Sequence, residues 1–242
     1  MITQGTFEVK DNRAIARDVW EITLAGDTSA LKHPGQFVDV HLDGLFLRRP
    51  ISVCTWDVSS MKMIYKVMGK GTACLSNLHE GDKLDMLTGL GNGFTPASAK
   101  GRRIAIIGGG VGVPPLYGLI QQLTAEDVHC VLGFNAAADV FYVKEFEDLG
   151  AKVTVTTVDG SYGMKGFVTD ALKQIDYDYY FACGPMPMLK AVHALGKEGQ
   201  LSLEARMGCG FGVCMSCSCQ MQTGMKRICL EGPVFTSQEV KL

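Results

Sequence analysis

Short stretches that alternate between apolar and polar residues follow one another through residues 1–97. Five of them are rich in β-branched and aromatic residues: TFEVKDN, VWEITLAG, QFVDVHL, RRPISVCTW and MKMIYKVMG. Turn-forming pairs such as Gly26-Asp27 separate them. Many short strands between tight turns are typical of a barrel or sandwich. We therefore predict an N-terminal antiparallel β-barrel, with one helix from Thr72 to His79.

Continuous apolar runs replace the alternating pattern in residues 98–206. The run IAIIG, which follows Arg103, is typical of a strand that is buried on both faces. Strand and helix patterns then alternate along the chain: HCVLGF, YVKEFEDL, KVTVTTV, VTDALKQI, DYYFACG, PMLKAVHALGKEG and LSLEAR. This order predicts a second domain, a parallel α/β sheet with right-handed crossovers. Residues 207–242 contain no long helical pattern and form a third, cysteine-rich segment.

The composition is that of an ordinary globular protein, with 242 residues, 47% hydrophobic and 20% charged. The net charge of −2 argues against nucleic acid as the main partner, since a phosphate backbone is bound by a basic face. The longest uncharged stretch, Ile104 to Ala125, contains a glycine cluster and two adjacent prolines, which argue against a membrane span. With no signal-peptide pattern at the start, we expect a cytoplasmic protein.

Five of the nine cysteines lie close together near the end of the chain: Cys209, Cys214, Cys217, Cys219 and Cys229. An odd total with this clustering fits a reducing compartment and a metal site better than a disulfide framework. The spacing C-x4-C-x2-C of Cys209, Cys214 and Cys217 is that of plant-type [2Fe–2S] sites, which a more distant fourth cysteine completes.

The fourth ligand is not settled by spacing alone. Cys229 is the preferred candidate, because a remote ligand lets the loop close over the far iron. Cys219 stays open, since in an extended strand it would face the same side as Cys217. Structural zinc, which also takes four thiolates, is the alternative reading, although zinc sites more often pair two C-x2-C units.

Two motifs in the barrel region suggest a flavin. RRPIS, from Arg48 to Ser52, places a guanidinium and a hydroxyl on one strand, and both groups suit a pyrophosphate. A surface arginine before an edge-strand proline would look the same. KVMGKGT, from Lys66 to Thr72, could offer backbone amides to phosphate at a helix start, or could be a simple strand–turn–helix junction.

Two glycine-rich turns follow strands of the α/β region and suggest a nucleotide. GGGVGVPP contains Gly109, Gly110 and Gly112, and ACGPMPM contains Cys183 and Gly184. Dinucleotides bind where parallel strands end in open α/β sheets, so we predict these residues near NAD. Neither string is a clean G-x-G-x-x-G, and Cys183 could equally be a small buried hydrophobe.

Together these motifs resemble the ferredoxin–NADP reductase superfamily, and specifically the electron-transfer subunits of NAD-dependent (class 1B) dihydroorotate dehydrogenases. The resemblance covers essentially the whole chain, and the tail MGCGFGVCMSC with ICLEGPVF is its most specific part. It implies an FAD-binding barrel over residues 1–97, a Rossmann-like NAD domain over 98–206 and a [2Fe–2S] segment over 207–242. A related relative, the small subunit of the bifurcating NADH-dependent ferredoxin–NADP oxidoreductase, resembles the chain less, because an Asp stands there at the position of Cys209.

The resemblance also implies roles for individual residues. The flavin and its phosphates would be bound by Arg49, Pro50, Ile51, Ser52, Tyr65, Lys66, Val67, Gly71 and Thr72. The cluster ligands would be Cys209, Cys214, Cys217 and Cys229. Apolar residues near the cluster, namely Phe211, Val213, Met215 and Phe235, would contact a partner or shield the cluster.

The function implied is electron transfer in pyrimidine biosynthesis. An FMN-containing catalytic partner would oxidise dihydroorotate, and electrons would pass through the [2Fe–2S] cluster and FAD to NAD+, in a heterotetramer of two plus two subunits. The absence of an arginine pair around Asp159 to Tyr162 favours NAD over NADP. The alternatives are a reductase for an oxygenase, hydrogenase or ferredoxin, and a zinc-stabilised nucleotide-binding module without redox function.

Overall fold

A closed barrel forms the N-terminal part of the computed structural model, which describes residues 1–125 and 127–242. Its strands are β1 Thr3–Ala16, β2 Val19–Ala25, β3 Phe37–Val40, β4 Arg49–Trp56, β5 Ser60–Lys66 and β6 Lys83–Leu90. They pair antiparallel in the order β1-β2-β5-β4-β3-β6. The helix α1, Lys70–Ser76, follows β5. The barrel prediction is confirmed, although the sequence pattern did not single out β6.

A parallel sheet forms the second domain, as the strand–helix alternation predicted. Its strands are β7 Ile104–Gly109, β8 Val128–Phe134, β9 Lys152–Thr157, β10 Met164–Lys165, β11 Tyr179–Cys183 and β12 Glu198–Ser202. They lie in the order β10-β9-β8-β7-β11-β12. The helices are α2 Val113–Ile120, α3 Val143–Asp148, α4 Val168–Leu172 and α5 Met186–His193. Because the order reverses between β7 and β11, a crevice is expected at their carboxyl ends.

The end of α5 differs from the sequence expectation. The helical pattern was expected to run to Gly199, but α5 ends at His193, and Glu198 and Gly199 belong to β12. Both residues pair with Tyr179 and Tyr180 of β11. The ladder with β11 therefore outweighs the local preference for helix.

The C-terminal tail is held between the other two parts. It forms β13 Ser218–Met221, β14 Gly224–Arg227 and β15 Val234–Thr236, and β15 adds an antiparallel edge to β12. Buried tail residues such as Ile228 and Phe235 share one apolar core with Phe37 of the barrel and Leu201 of the sheet. No helix in residues 1–125 and 127–242 is long and apolar enough to cross a membrane.

An ion pair and a buried hydrogen bond connect the barrel to the domain of the parallel sheet. Tyr142 donates its hydroxyl to Glu21, with 2.6 Å between the oxygens, and the Glu21 side chain is only 2% exposed. Arg13 and Lys62 compensate the Glu21 charge at 2.6 and 3.4 Å. Arg17 forms a bidentate pair with Asp139, at 3.0 and 2.7 Å. These contacts set the orientation of the two domains.

We expect Tyr142→Phe to lower the free energy of unfolding by ~1–3 kcal/mol, because it leaves a buried carboxylate oxygen without its donor. Tyr180→Phe is the matched control. Its hydroxyl is also buried but has no hydrogen-bond partner among the residues described. Chemical denaturation of both variants would measure the difference, and equal losses would contradict the assignment.

Candidate functional site

Four thiols of the tail converge as two pairs. The Cys209 sulfur accepts the backbone N–H groups of Val213 and Cys214 at 3.3 and 3.4 Å. Hydrogen bonds from Ser216, followed by those with Cys209, lower the pKa of the Cys214 thiol. Cys217 and Cys229 form the second pair, with 3.3 Å between their sulfurs. The loop that carries the first three cysteines thus folds back onto the segment that carries the fourth.

The thiols of Cys214 and Cys229 differ in pKa. The Cys214 thiol is exposed, and hydrogen bonds from the Ser216 hydroxyl and neighbouring groups lower its pKa to about 6. Burial, together with the adjacent Cys217 thiol, raises the pKa of Cys229 to about 12. Because the ligand form of cysteine is the thiolate, binding a metal at Cys229 releases a proton.

The donor set fits a two-iron cluster. Four cysteine thiolates bind a [2Fe–2S] cluster, whereas structural zinc gathers four ligands around one ion. Cys219 stands apart from the two pairs, since it lies on β13 opposite Lys226 and packs against the apolar core of the tail.

The start of α1 lies under the side chain of Arg49. A Cβ atom on Gly71 would overlap the Arg49 side chain as it lies here, so the absence of a side chain at Gly71 makes room for Arg49. The Thr72 hydroxyl accepts the N–H of Met68 at 2.9 Å and holds the turn that leads into α1. Arg49 and the turn after β5 therefore form a cradle that suits the pyrophosphate of a dinucleotide.

The remaining residues of the predicted flavin site do not all face this cradle. The Tyr65 side chain is buried inside the barrel, where its hydroxyl donates to Asn12 at 3.0 Å. Ile51 packs partly against the same barrel core, while Pro50 is exposed and Ser52 is half-buried. On these strands, the side chains of Tyr65 and Ile51 point inward, and only their backbone groups can reach a flavin.

We expect Arg49→Ala to weaken FAD binding by about ten- to a hundredfold, which is the loss of one charge-assisted hydrogen bond of ~1.5–3 kcal/mol. Arg49→Lys keeps the charge without the planar fork and should lose less. Fluorescence titration of the flavin-stripped protein with FAD would measure both. Unchanged affinity in Arg49→Ala would remove Arg49 from the flavin site.

A cleft of about 550 Å³ opens at the carboxyl ends of β7, β8, β9 and β11. Its position is the crevice expected from the reversal in strand order. Gly109 and Gly110, two of the residues predicted near NAD, line it. Gly112 and Gly184 lie behind the lining, with Gly112 packed against the backbone of Cys183. Burial raises the pKa of the Cys183 thiol to about 12, and the thiol lies outside the lining.

Several lining residues escaped the sequence analysis. They include Asn135, Thr156 and Phe167. Most of them stand at or just after the end of a parallel strand, and that rule could have identified them from the predicted strands alone.

The barrel also contributes to the cleft through Val19 and Lys66. Lys66 ends β5, the strand on which flavin contacts were predicted. It is the one cationic residue among the described lining residues, and the one acidic residue, Asp139, is paired with Arg17. The cleft therefore lies between the barrel and the parallel sheet, and its described lining residues include no arginine for a 2′-phosphate.

Two family models match the chain. Residues 204–241 match the iron–sulfur cluster binding domain of dihydroorotate dehydrogenase B, and residues 106–194 match the oxidoreductase NAD-binding domain. The first match covers all four converging cysteines, and the second covers both glycine-rich turns.

Similar curated proteins extend over the whole chain. The dihydroorotate dehydrogenase B (NAD(+)) electron transfer subunit of Geobacillus sp. (strain WCH70) is 43% identical, with 100% of each chain covered. The subunit of the same name from Fusobacterium nucleatum subsp. nucleatum is 39% identical, with 97% of each covered.

Solved structures show the same architecture. A chain of the NADH-dependent reduced ferredoxin-NADP oxidoreductase, described in work on flavin-based electron bifurcation, superposes with a TM-score of 0.85 at 31% identity, covering 97% of this chain and 89% of that one. A ferredoxin NADP+ reductase from Neisseria gonorrhoeae, with bound FAD and NADP, superposes with a TM-score of 0.68 at 14% identity, covering 79% and 89%. The second likeness concerns the fold alone.

Proposed function

Because the chain belongs to the family of dihydroorotate dehydrogenase B electron transfer subunits, we propose that it takes electrons from a catalytic partner subunit and delivers them to NAD+. It would thereby serve the dihydroorotate oxidation step of pyrimidine biosynthesis. The observation that carries the proposal is the convergence of four thiols in two pairs on the segment that matches the family's cluster-binding domain.

Each part of the chain has a distinct task in this proposal. Cys209, Cys214, Cys217 and Cys229 hold a [2Fe–2S] cluster, and Arg49 with the turn before α1 holds the FAD pyrophosphate. Together with NAD, these groups supply the one-electron and hydride chemistry. The cleft between Lys66 and Gly110 orients the nicotinamide nucleotide, and its apolar walls exclude water from it.

The partner would dock over the cluster loop. Phe211, Val213 and Met215 are 40%, 73% and 54% exposed. They lie between Cys209 and Cys217 in the sequence. Phe235 was expected to contact a partner or to shield the cluster. The partner contact is wrong, because its side chain is only 4% exposed and packs inside the tail core. The partner would carry FMN, and two subunits of each kind would assemble.

The experiment is anaerobic purification of the chain, followed by iron and FAD assays and an EPR spectrum after reduction. We expect about two irons and one FAD per chain, with a paramagnetic signal only on reduction. The isolated chain should also reduce artificial acceptors with NADH. Zinc without iron, or absence of flavin, would overturn the proposal.

Co-purification with an FMN protein that oxidises dihydroorotate would identify the partner, whereas co-purification with an oxygenase or hydrogenase would favour another reductase system.

A further inference from the structure

An ion pair on the tail connects the two halves of the thiol site. Arg227, the last residue of β14, donates from Nη1 to the carbonyl oxygen of Gly212 at 2.7 Å. Gly212 lies within the loop between Cys209 and Cys214, whereas Arg227 lies two residues before Cys229. One guanidinium therefore ties the first part of the site to the segment that supplies its fourth thiol.

Glu231 holds that guanidinium in place. Its carboxylate accepts from Arg227 Nη2 at 2.5 Å and from Nε at 3.1 and 3.2 Å, and it also accepts the Arg227 backbone N–H at 2.8 Å. Asn92 of the barrel donates to the backbone carbonyl of Glu231 at 3.0 Å. The arginine is therefore fixed from the barrel side and aimed at the cysteine loop.

Both charged residues lie next to the thiols. Arg227 is paired with Ser218 in the β13–β14 ladder, so it lies beside Cys217 and two residues before Cys229. Glu231 follows Cys229 by two residues. The side chains are 27% and 31% exposed, so water screens this charge only in part.

We propose that Arg227 and Glu231 are positioning residues that set the reduction potential of the cluster. Arg227 holds the Gly212 loop and adds positive charge beside the Cys217–Cys229 pair, and Glu231 limits that charge. The inference rests on the proposed function only in requiring a [2Fe–2S] cluster at the four thiols.

Because Arg227 and Glu231 carry opposite charges, we expect their neutral variants to shift the midpoint potential of the cluster in opposite directions. A reduced cluster carries one more negative charge than an oxidised one, so a nearby cation favours reduction. Arg227→Gln removes the cation and should lower the midpoint potential. Glu231→Gln leaves the cation uncompensated and should raise it. If the pair only maintained the shape of the loop, both substitutions would disturb the loop. The midpoint potential would then not shift in opposite directions in the two variants.

The pair Arg103–Asp178 offers a matched control. It is also bidentate, at 3.0 and 2.8 Å, but it lies at the amino ends of β7 and β11, the edge of the sheet opposite the cleft. Arg103→Gln and Asp178→Asn therefore repeat the same chemical changes away from the cysteine tail.

The test is an EPR-monitored redox titration of the purified holoprotein and the four variants. We expect the one-electron equilibrium to shift about tenfold, or about 59 mV, downward in Arg227→Gln and upward in Glu231→Gln, with no shift in the controls. If Arg227→Gln does not retain iron, Arg227→Lys takes its place as the variant that keeps the charge without the fork, and its potential should stay near that of the unaltered protein.

The outcomes separate the two proposals. An unaltered chain that binds no iron would overturn the proposed function itself. Shifts of the same sign in Arg227→Gln and Glu231→Gln, no shift in either, or a large shift in Arg227→Lys would overturn the charge assignment while leaving the cluster in place.

Discussion

Iron content should fall from about two atoms per chain to near zero when Cys229 is replaced by alanine. The Cys229 sulfur lies 3.3 Å from that of Cys217, and no other cysteine of the described tail forms a pair with Cys217. Removing the sulfur leaves one iron position with a single thiolate. Cys219→Ala should retain full iron content, because Cys219 points into the apolar core of the tail instead of joining the pairs.

The loss of the cluster should affect two activities of the protein differently. In Cys229→Ala, transfer of electrons from the catalytic partner should be lost, whereas NADH oxidation with artificial acceptors should persist, since Arg49, Gly71 and the cleft do not depend on the tail thiols. Iron assay, EPR and a diaphorase assay would measure the three quantities. Loss of iron in Cys219→Ala with retention in Cys229→Ala would reverse the assignment of the fourth ligand.

Replacing Gly118 with alanine should separate the barrel from the nucleotide domain. Gly118 lies on α2, and a Cβ there would overlap the carbonyl oxygen of Cys54 on β4. Because the obstacle is backbone, no side-chain rotation relieves it, and either the helix or the strand must shift. Such overpacking typically costs ~1–3 kcal/mol, which corresponds to a fall of several degrees in melting temperature for a chain of this size.

We expect Gly118→Ala to affect flavin reduction by NADH more strongly than it affects the melting temperature. The cleft takes Val19 and Lys66 from the barrel and the glycine turns from the sheet, so a shift between them misplaces the nicotinamide against the flavin. We expect NADH-driven flavin reduction in stopped-flow experiments to slow by about a hundredfold, with iron content unchanged. Gly5→Ala is the control, because its Cβ would make only an ordinary 3.5 Å contact with Phe7. Equal melting temperatures and rates in the two variants would contradict the prediction.

The local sequence patterns predicted the strands well where the periodicity of apolar side chains alone decided the structure. Period-two alternation identified five of the six barrel strands, and apolar runs identified the parallel strands other than the two-residue β10. The sixth barrel strand, β6, has the sequence KLDMLTGL, in which the apolar alternation is real but glycine and aspartate weaken the β preference. The last turns of α5 were overextended, because helix propensity cannot register a competing strand ladder. The helix α4 also ends earlier than predicted, at Leu172.

The sequence by itself determined the order of barrel, parallel sheet and cysteine tail, the spacing of the first three cysteines, and the glycine turns at the strand ends. These features depend on side-chain periodicity and on chemistry within a few residues, which the chain displays directly. Only the tertiary structure paired Cys217 with Cys229, turned Tyr65 and Phe235 inward, and joined Tyr142 to Glu21 and Arg227 to Gly212. Each of these contacts joins residues distant in sequence or depends on which face of an element is buried, and packing of the whole chain decides both.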